Sequence, residues 1–265
     1  MNILCIGDIC GNIGCDFIKN NLYHIKKYYS IDFTVANGEN SAEGNGITPL
    51  SAQTLFTYGV DVITGGNHSL RRKEAHALLD ENNFLLTPDN IPQDIGHGYC
   101  LVDMGRLKIA VVNILGNAYL DSYGASNCFD TADKLVDCAK NDNANIIIVD
   151  FHAEATGEKK ALGYYLDGRV SAFFGTHTHI QTADEQILDG GTGYITDIGM
   201  TGPVNSVLGV KKEIIIDRLR NKSLEKFTLA DGECMLNGCI FTVDEKTGLT
   251  TSVKRINITE GAQSN

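Results

Sequence analysis

The chain has 265 residues, 43% of them hydrophobic, and a formal net charge of −11. That length is ample for a sizeable core, and the composition is that of an ordinary globular protein. The acidic balance argues against a protein that coats nucleic acid or an anionic membrane, and no run approaches the roughly 20 apolar residues of a membrane span.

Asn2–Gly7 is short, apolar and rich in β-branched residues, as in a buried strand. Asp8 interrupts it too early for a secretory leader, and a glycine-bearing loop, Gly11 to Gly14, follows. The eight cysteines form no CxxC pair and sit mostly in apolar runs. Buried reduced thiols and a cytoplasmic location are therefore expected.

Apolar residues at Phe17, Ile18, Leu22, Ile25 and Tyr28 predict a helix over Asp16–Tyr29. Ile31–Ala36 reads as a second strand, running into Asn37-Gly38-Glu39-Asn40. Thr48-Pro49 supplies a cap and a first-turn proline for a helix that Gly59 closes. Val60–Thr64 is a third strand, ending at Gly65-Gly66-Asn67-His68, and Arg71–Glu81 is helical. This β-loop-α repetition predicts a largely parallel central sheet with helices packed on it.

Phe84–Gly98 reads as loop, Tyr99–Asp103 and Leu107–Asn113 as a strand pair, and Leu115–Asn127 as a long loop. Asp130–Lys140 is helical, and Asn145–Phe151 is the clearest buried strand, ending on His152. A helix is expected over Glu158–Leu166, then a strand at Val170–Phe174 that leads to Gly175-Thr176-His177-Thr178-His179. Gly193–Asp197 is a further strand, Lys211–Arg220 a helix, and Phe227–Ile258 alternates like antiparallel strands. The tail after about residue 259 is polar and expected to fray. With no repeat, linker or boundary, residues 1–265 are expected to form one domain.

The polar residues that follow strands are Asp8, Glu39-Asn40, Asn67-His68, His152, His177 and His179. Each has a plain explanation: Asp8 caps a helix, Glu39 and Asn67 serve turns, His152 is a near-core histidine. Together they place ligand-type side chains at five strand ends in a chain with seven histidines. Open α/β sheets build sites there. Carboxylate, amide oxygen and imidazole suit iron, manganese or zinc rather than a thiolate zinc site or an all-oxygen calcium cage. Two such ions sharing a carboxylate clamp a phosphoryl group and acidify a shared water. His24, His76 and His97 are left as surface or helix-face histidines.

The order G-N-H, a later lone His, then G-x-H-x-H resembles the calcineurin-like metallophosphoesterases, and more closely their YmdB-type branch. The resemblance covers nearly the whole chain: Ile6-Gly7-Asp8-Ile9, Asn37-Gly38-Glu39-Asn40, Gly66-Asn67-His68, Asp150–Thr156, Gly175–Asp184 and Thr196–Pro203. Two departures from the wider superfamily fit that branch. The usual D-x-H carries Cys10 in place of histidine, and Glu39-Asn40 stands where an Asp bridges. Cys10 is expected not to be a ligand, because thiolate would sit oddly in so hard a set.

The resemblance implies an α/β sandwich of two central mixed β-sheets flanked by helices. It also implies two divalent or trivalent metal ions per chain, iron first, with manganese or zinc as alternatives. By motif, Asp8, Glu39, Asn40 and His179 would hold one ion, Glu39 would bridge, and Asn67, His152 and His177 would complete the second. His68 would stabilise the phosphate or protonate the leaving oxygen. The implied activity is hydrolysis of 2′,3′-cyclic and also 3′,5′-cyclic nucleotides by a metal-bridging hydroxide. A phosphomonoesterase on the same scaffold, or a regulatory binding protein with incidental catalysis, are the alternatives. The expected partner is a small phosphodiester, with no DNA and no membrane, and relatives of this kind suggest a homo-oligomer.

Overall fold

Along β1 (Asn2–Ile6) alternate side chains go to different cores, and that alternation sets the layers. Ile3 and Cys5 pack against residues of a second sheet, while Leu4 and Ile6 pack against helices. The structure, a computed structural model, describes residues 1–92 and 94–260, so residues 261–265 of the polar tail lie outside the described residues.

The first sheet joins β1 to β3 (Phe33–Asn37) and β4 (Val62–Thr64) in parallel. On its other side β1 pairs antiparallel with the long β12 (Cys234–Val243). β12 also pairs with β13 (Thr250–Thr259) and β11 (Met200–Pro203), and β11 lies parallel to the two-residue β2 (Asp8–Ile9). The second sheet runs β5 (Tyr99–Asp103), β6 (Lys108–Leu115), β7 (Ile146–His152), β8 (Ala172–Thr176), β10 (Gly193–Ile195) and β9 (Gln186–Ile187). Its β6 to β10 portion is parallel and both edge strands are antiparallel.

Ile3, Phe33 and Val35 meet Val111, Ile148 and Phe174 between the sheets. Outside the first sheet lie α1 (Gly11–Tyr28), α2 (Pro49–Thr57) and α3 (His76–Glu81). Outside the second lie α4 (Cys128–Asn141) and α5 (Thr156–Tyr165). The result is the helix–sheet–sheet–helix sandwich that the resemblance implies. The single, largely parallel sheet predicted from β-loop-α repetition is corrected: the parallel strands divide between two mixed sheets.

Most elements fall where the periodicity puts them; three shift, and the short strands β2, β9 and β11 have no counterpart in the sequence reading. The α1 helix begins at Gly11, so the glycine-bearing stretch is its first turn, with Gly14 buried against β11. The Arg71–Glu81 helix is broken into a 3-10 turn, Lys73–Ala75, and the short α3. Residues 227–233 precede the β12–β13 hairpin rather than join it. Thr48 caps α2 as its side chain accepts from the Ser51 amide, with Pro49 opening the helix. All eight cysteines are free. Among the described residues, no helix is long and apolar enough to cross a membrane.

Candidate metal centre

The carboxyl ends of five parallel strands bring the chemistry together. Asp8 follows β1, Glu39 and Asn40 follow β3, and Asn67 and His68 follow β4, all from the first sheet. His152 closes β7, and His177 and His179 lie in the turn after β8, from the second. Side chains of Asp8, Glu39 and His152 are almost wholly buried, and those of His68, His177 and His179 partly so.

These residues fall into two groups. Around Nε2 of His152 stand Oδ1 of Asn67 at 2.9 Å, Nδ1 of His177 at 3.0 Å and Oε2 of Glu39 at 3.4 Å. Donor atoms of Glu39, His152 and His177 lie within 4.8 Å of one another. In the other group, Nδ2 of Asn40 is 2.8 Å from Oε1 of Glu39 and 3.3 Å from Nε2 of His179. That Nε2 is 3.6 Å from Oδ1 of Asp8. Glu39 thus turns one oxygen to each group.

Proton accounting shows what the first group needs. The Thr176 hydroxyl donates to Oδ1 of Asp150 at 2.7 Å, so it accepts from Nδ1 of His152 at 2.9 Å. The lone pair of His152 is left on Nε2. His177 gives its Nε2 proton to Glu154 at 3.0 Å, leaving a lone pair on Nδ1. Asn67 donates Nδ2 to the Tyr123 hydroxyl at 2.9 Å, which points its carbonyl inward. Four electron-rich atoms then converge with no proton between them, an arrangement that suits a cation. In the second group Oδ1 of Asp8 is buried without a hydrogen-bond partner among the described residues. Gly66 leaves the space between: a Cβ there would lie 2.3 Å from Oε2 of Glu39 and 2.4 Å from Nε2 of His152. The residues present therefore fit bound metal, most completely in the group of Glu39, His152 and His177.

Protonation states agree on the His152 side, whereas at His179 burial pulls the imidazole down but Cys10 and Asp8 outweigh it and hold it well above the usual histidine range, so that ring must lose a proton to take an ion. Burial pushes the Glu39 carboxyl up, but His152 and His68 more than offset it and hold it at about 2. Burial likewise raises Asp8, yet His179, His152 and the His177 amide bring it well below the carboxylate range. Burial lowers His152 to about 4 despite the pull of Glu39. Ionised carboxylates and a neutral His152 near pH 7 are the states metal binding requires.

All eight residues singled out from the sequence meet here. Asn40 does so with its amide turned away from the expected role: Nδ2 faces Glu39 and His179, while Oδ1 faces Nδ1 of His68 at 3.0 Å. To act as a ligand it must present the other end, which would set Nδ2 against His68. The Cys10 thiol lies 3.8 Å from Nδ1 of His179, the ring nitrogen turned from the centre. His76 and His97 bond to the Leu70 and Asn83 carbonyls, and His24 packs on Tyr23, so none joins the site. Sequence reasoning missed Asp150, Glu154, Tyr123 and Thr176 as supports. Asp150 and Glu154 flank His152, and Thr176 precedes His177, within the motif blocks that carry the resemblance, which is the signal that was available.

A cavity of about 1120 Å³ opens from Glu39, Asn40, His68 and His179 toward Arg71, Arg218 and Phe227. The Arg218 guanidinium stacks over the Phe227 ring at 4.3 Å. A smaller hollow of about 290 Å³ lies by Asn67, His68, Ile91 and Tyr123. The long loop after β6 thus reaches the site through Tyr123.

A family model described as YmdB-like protein matches residues 4–256. A 2′,3′-cyclic-nucleotide 2′-phosphodiesterase of Bacillus subtilis (strain 168) is 42% identical over 262 residues, 98% of each chain. A crystal structure of a phosphatase of Mycoplasma pneumoniae has a TM-score of 0.92 at 34% identity, covering 98% of this chain and 93% of that one. One of a hypothetical protein of Thermus thermophilus has a TM-score of 0.90 at 34% identity, covering 98% and 100%.

Proposed function

The chain belongs to the YmdB-like protein family, and from that premise we propose that it is a metal-dependent phosphodiesterase opening 2′,3′-cyclic nucleotides. The observation that carries this is Glu39 facing two donor groups with its two oxygens. The name of the Bacillus subtilis relative supplies the substrate class. Asp8, Glu39, Asn40 and His179 would hold one ion, and Glu39, Asn67, His152 and His177 would hold the other. When bound, the ions supply Lewis acidity to the phosphoryl oxygens and activate water at neutral pH.

The side chains do the rest. His68 is the general acid: with Nδ1 engaged by Asn40, Nε2 is the nitrogen available to the leaving ribose oxygen. Were Asn40 to hold an ion by its carbonyl, its Nδ2 would face Nδ1 of His68 and donate to it, which would keep the His68 proton on Nε2. Arg71 and Arg218 draw an anionic substrate into an otherwise acidic protein, and the Arg218–Phe227 stack offers a face for the base. A cyclic 2′,3′-diester suits this site because one ester bond opens while the nucleoside stays attached.

A phosphomonoesterase on the same scaffold is the second reading, favoured by the name of the Mycoplasma pneumoniae structure. Purified protein assayed side by side on 2′,3′-cyclic AMP, 3′,5′-cyclic AMP and a nucleoside monophosphate separates them. The proposal expects fastest turnover of the 2′,3′-cyclic diester. Preference for the monoester would overturn it.

A further inference from the structure

We propose that Lys159, Asp197 and Thr178 form a clamp that holds the His177–His179 turn in its ligand-presenting shape, acting on the metal centre without touching it. The inference rests on His177 and His179 being ligands.

The turn needs holding. His177 has φ 101° and His179 φ 64°, left-handed values that non-glycine residues seldom adopt and that persist only where surrounding contacts impose them. Thr178, between them, drives both its polar groups into a single oxygen. Its hydroxyl donates to Oδ2 of Asp197 at 2.8 Å and its amide donates to the same atom at 3.2 Å. Lys159, fully buried on α5, reaches that oxygen from behind at 2.7 Å and donates to the Thr176 carbonyl at 2.8 Å. Oδ1 of Asp197 accepts from the Gly199 amide at 2.8 Å, so the carboxylate is anchored at both ends.

Gly175 shows that the route for the lysine is built into the chain. A Cβ at that position would stand 2.8 Å from Cδ and 3.0 Å from Cε of Lys159, and 2.0 Å from the Thr196 carbonyl. The glycine before the H-x-H pair therefore admits the stem of the clamp. A buried ion pair adds little stability over an apolar pair, and fixing one geometry is the better account of it. Cut loose from Asp197, the turn relaxes its backbone and the two imidazoles lose their common aim.

The test uses Mn²⁺ alone, titrated into metal-stripped protein, with free ion followed by electron paramagnetic resonance. Thr178→Val should weaken binding about 10–100-fold, the scale for loss of an outer support of a ligand. Thr178→Ser, which keeps the hydroxyl, should bind like the wild type. Asp197→Asn should also weaken binding, and the double variant should be little worse than the poorer single one, because both act through one oxygen. Equal Mn²⁺ binding by wild type and Thr178→Val, or additive losses in the double variant, would overturn the clamp alone. A wild type that binds no Mn²⁺ would overturn the clamp and the metal centre together.

Discussion

On the His152 side of the centre every donor has a second protein group behind it. Thr176 and Asp150 back His152, Glu154 backs His177, and Tyr123 backs Asn67. On the His179 side the support comes mainly from backbone groups. Nδ1 of His179 meets the Leu208 carbonyl at 3.1 Å and the Cys10 thiol at 3.8 Å, Oδ2 of Asp8 accepts from the His177 amide at 3.1 Å, and Oδ1 of Asp8 has no hydrogen-bond partner among the described residues. The first half is pre-formed, its donor atoms already turned inward by these hydrogen bonds. The second would take its final shape only with an ion, since Asn40 would have to turn its amide over to present its carbonyl. If two ions bind as proposed, the His152 position should keep its ion more tightly than the His179 position; His177 and His179 both line the large cavity.

The strongest blow to both halves at once is Glu39→Gln. Turnover should fall below detection, a larger loss than the roughly 10²–10⁴-fold set by a missing general acid. Elemental analysis should show both ions depleted. Next comes His68→Ala, which should keep its metal and lose about 10²–10⁴-fold in kcat. Full activity in that variant would remove His68 from the chemistry. Tyr123→Phe sharpens the contrast, because it loosens Asn67 on the tight side alone. Chelator titration should show roughly tenfold weaker retention of the tighter ion and an unchanged weaker one. The smallest effect is expected at the far wall of the cavity. Phe227→Leu should raise KM about fivefold with kcat unchanged, the worth of roughly 1 kcal/mol of stacking. A kcat defect there would place the residue closer to the reacting atoms.

Much of this was legible in the sequence because strands ending in polar residues are a local pattern. NIIIVDF followed by His152, or VITGG followed by Asn67-His68, announces both the element and the site. The division into two sheets is not local. It depends on β12 pairing with β1 across almost the whole chain, and no periodicity near Asn2 foretells a partner at Thr242. The first turn of α1 was hidden because glycine is a poor helix former, and only packing against β11 explains its place there. The supports of the centre were hidden for a related reason. Tyr123 sits in a polar loop and Lys159 on an unremarkable helix face, and each gains its role from a partner brought close by folding. Asp150 reads simply as the end of an apolar strand. In place, it accepts from Thr64, Thr176 and Asn37, and burial raises its carboxyl to about 7.

The central claim is a pair of ions joined by Glu39 and used for diester hydrolysis. The most direct measurement is the metal content of the purified chain, determined on the same sample as its turnover of 2′,3′-cyclic AMP while ions are stepwise removed and restored. The account predicts two ions per chain at full activity, with turnover lost as the weaker ion leaves and regained as it returns. Full turnover with one ion per chain, or with none, would contradict it.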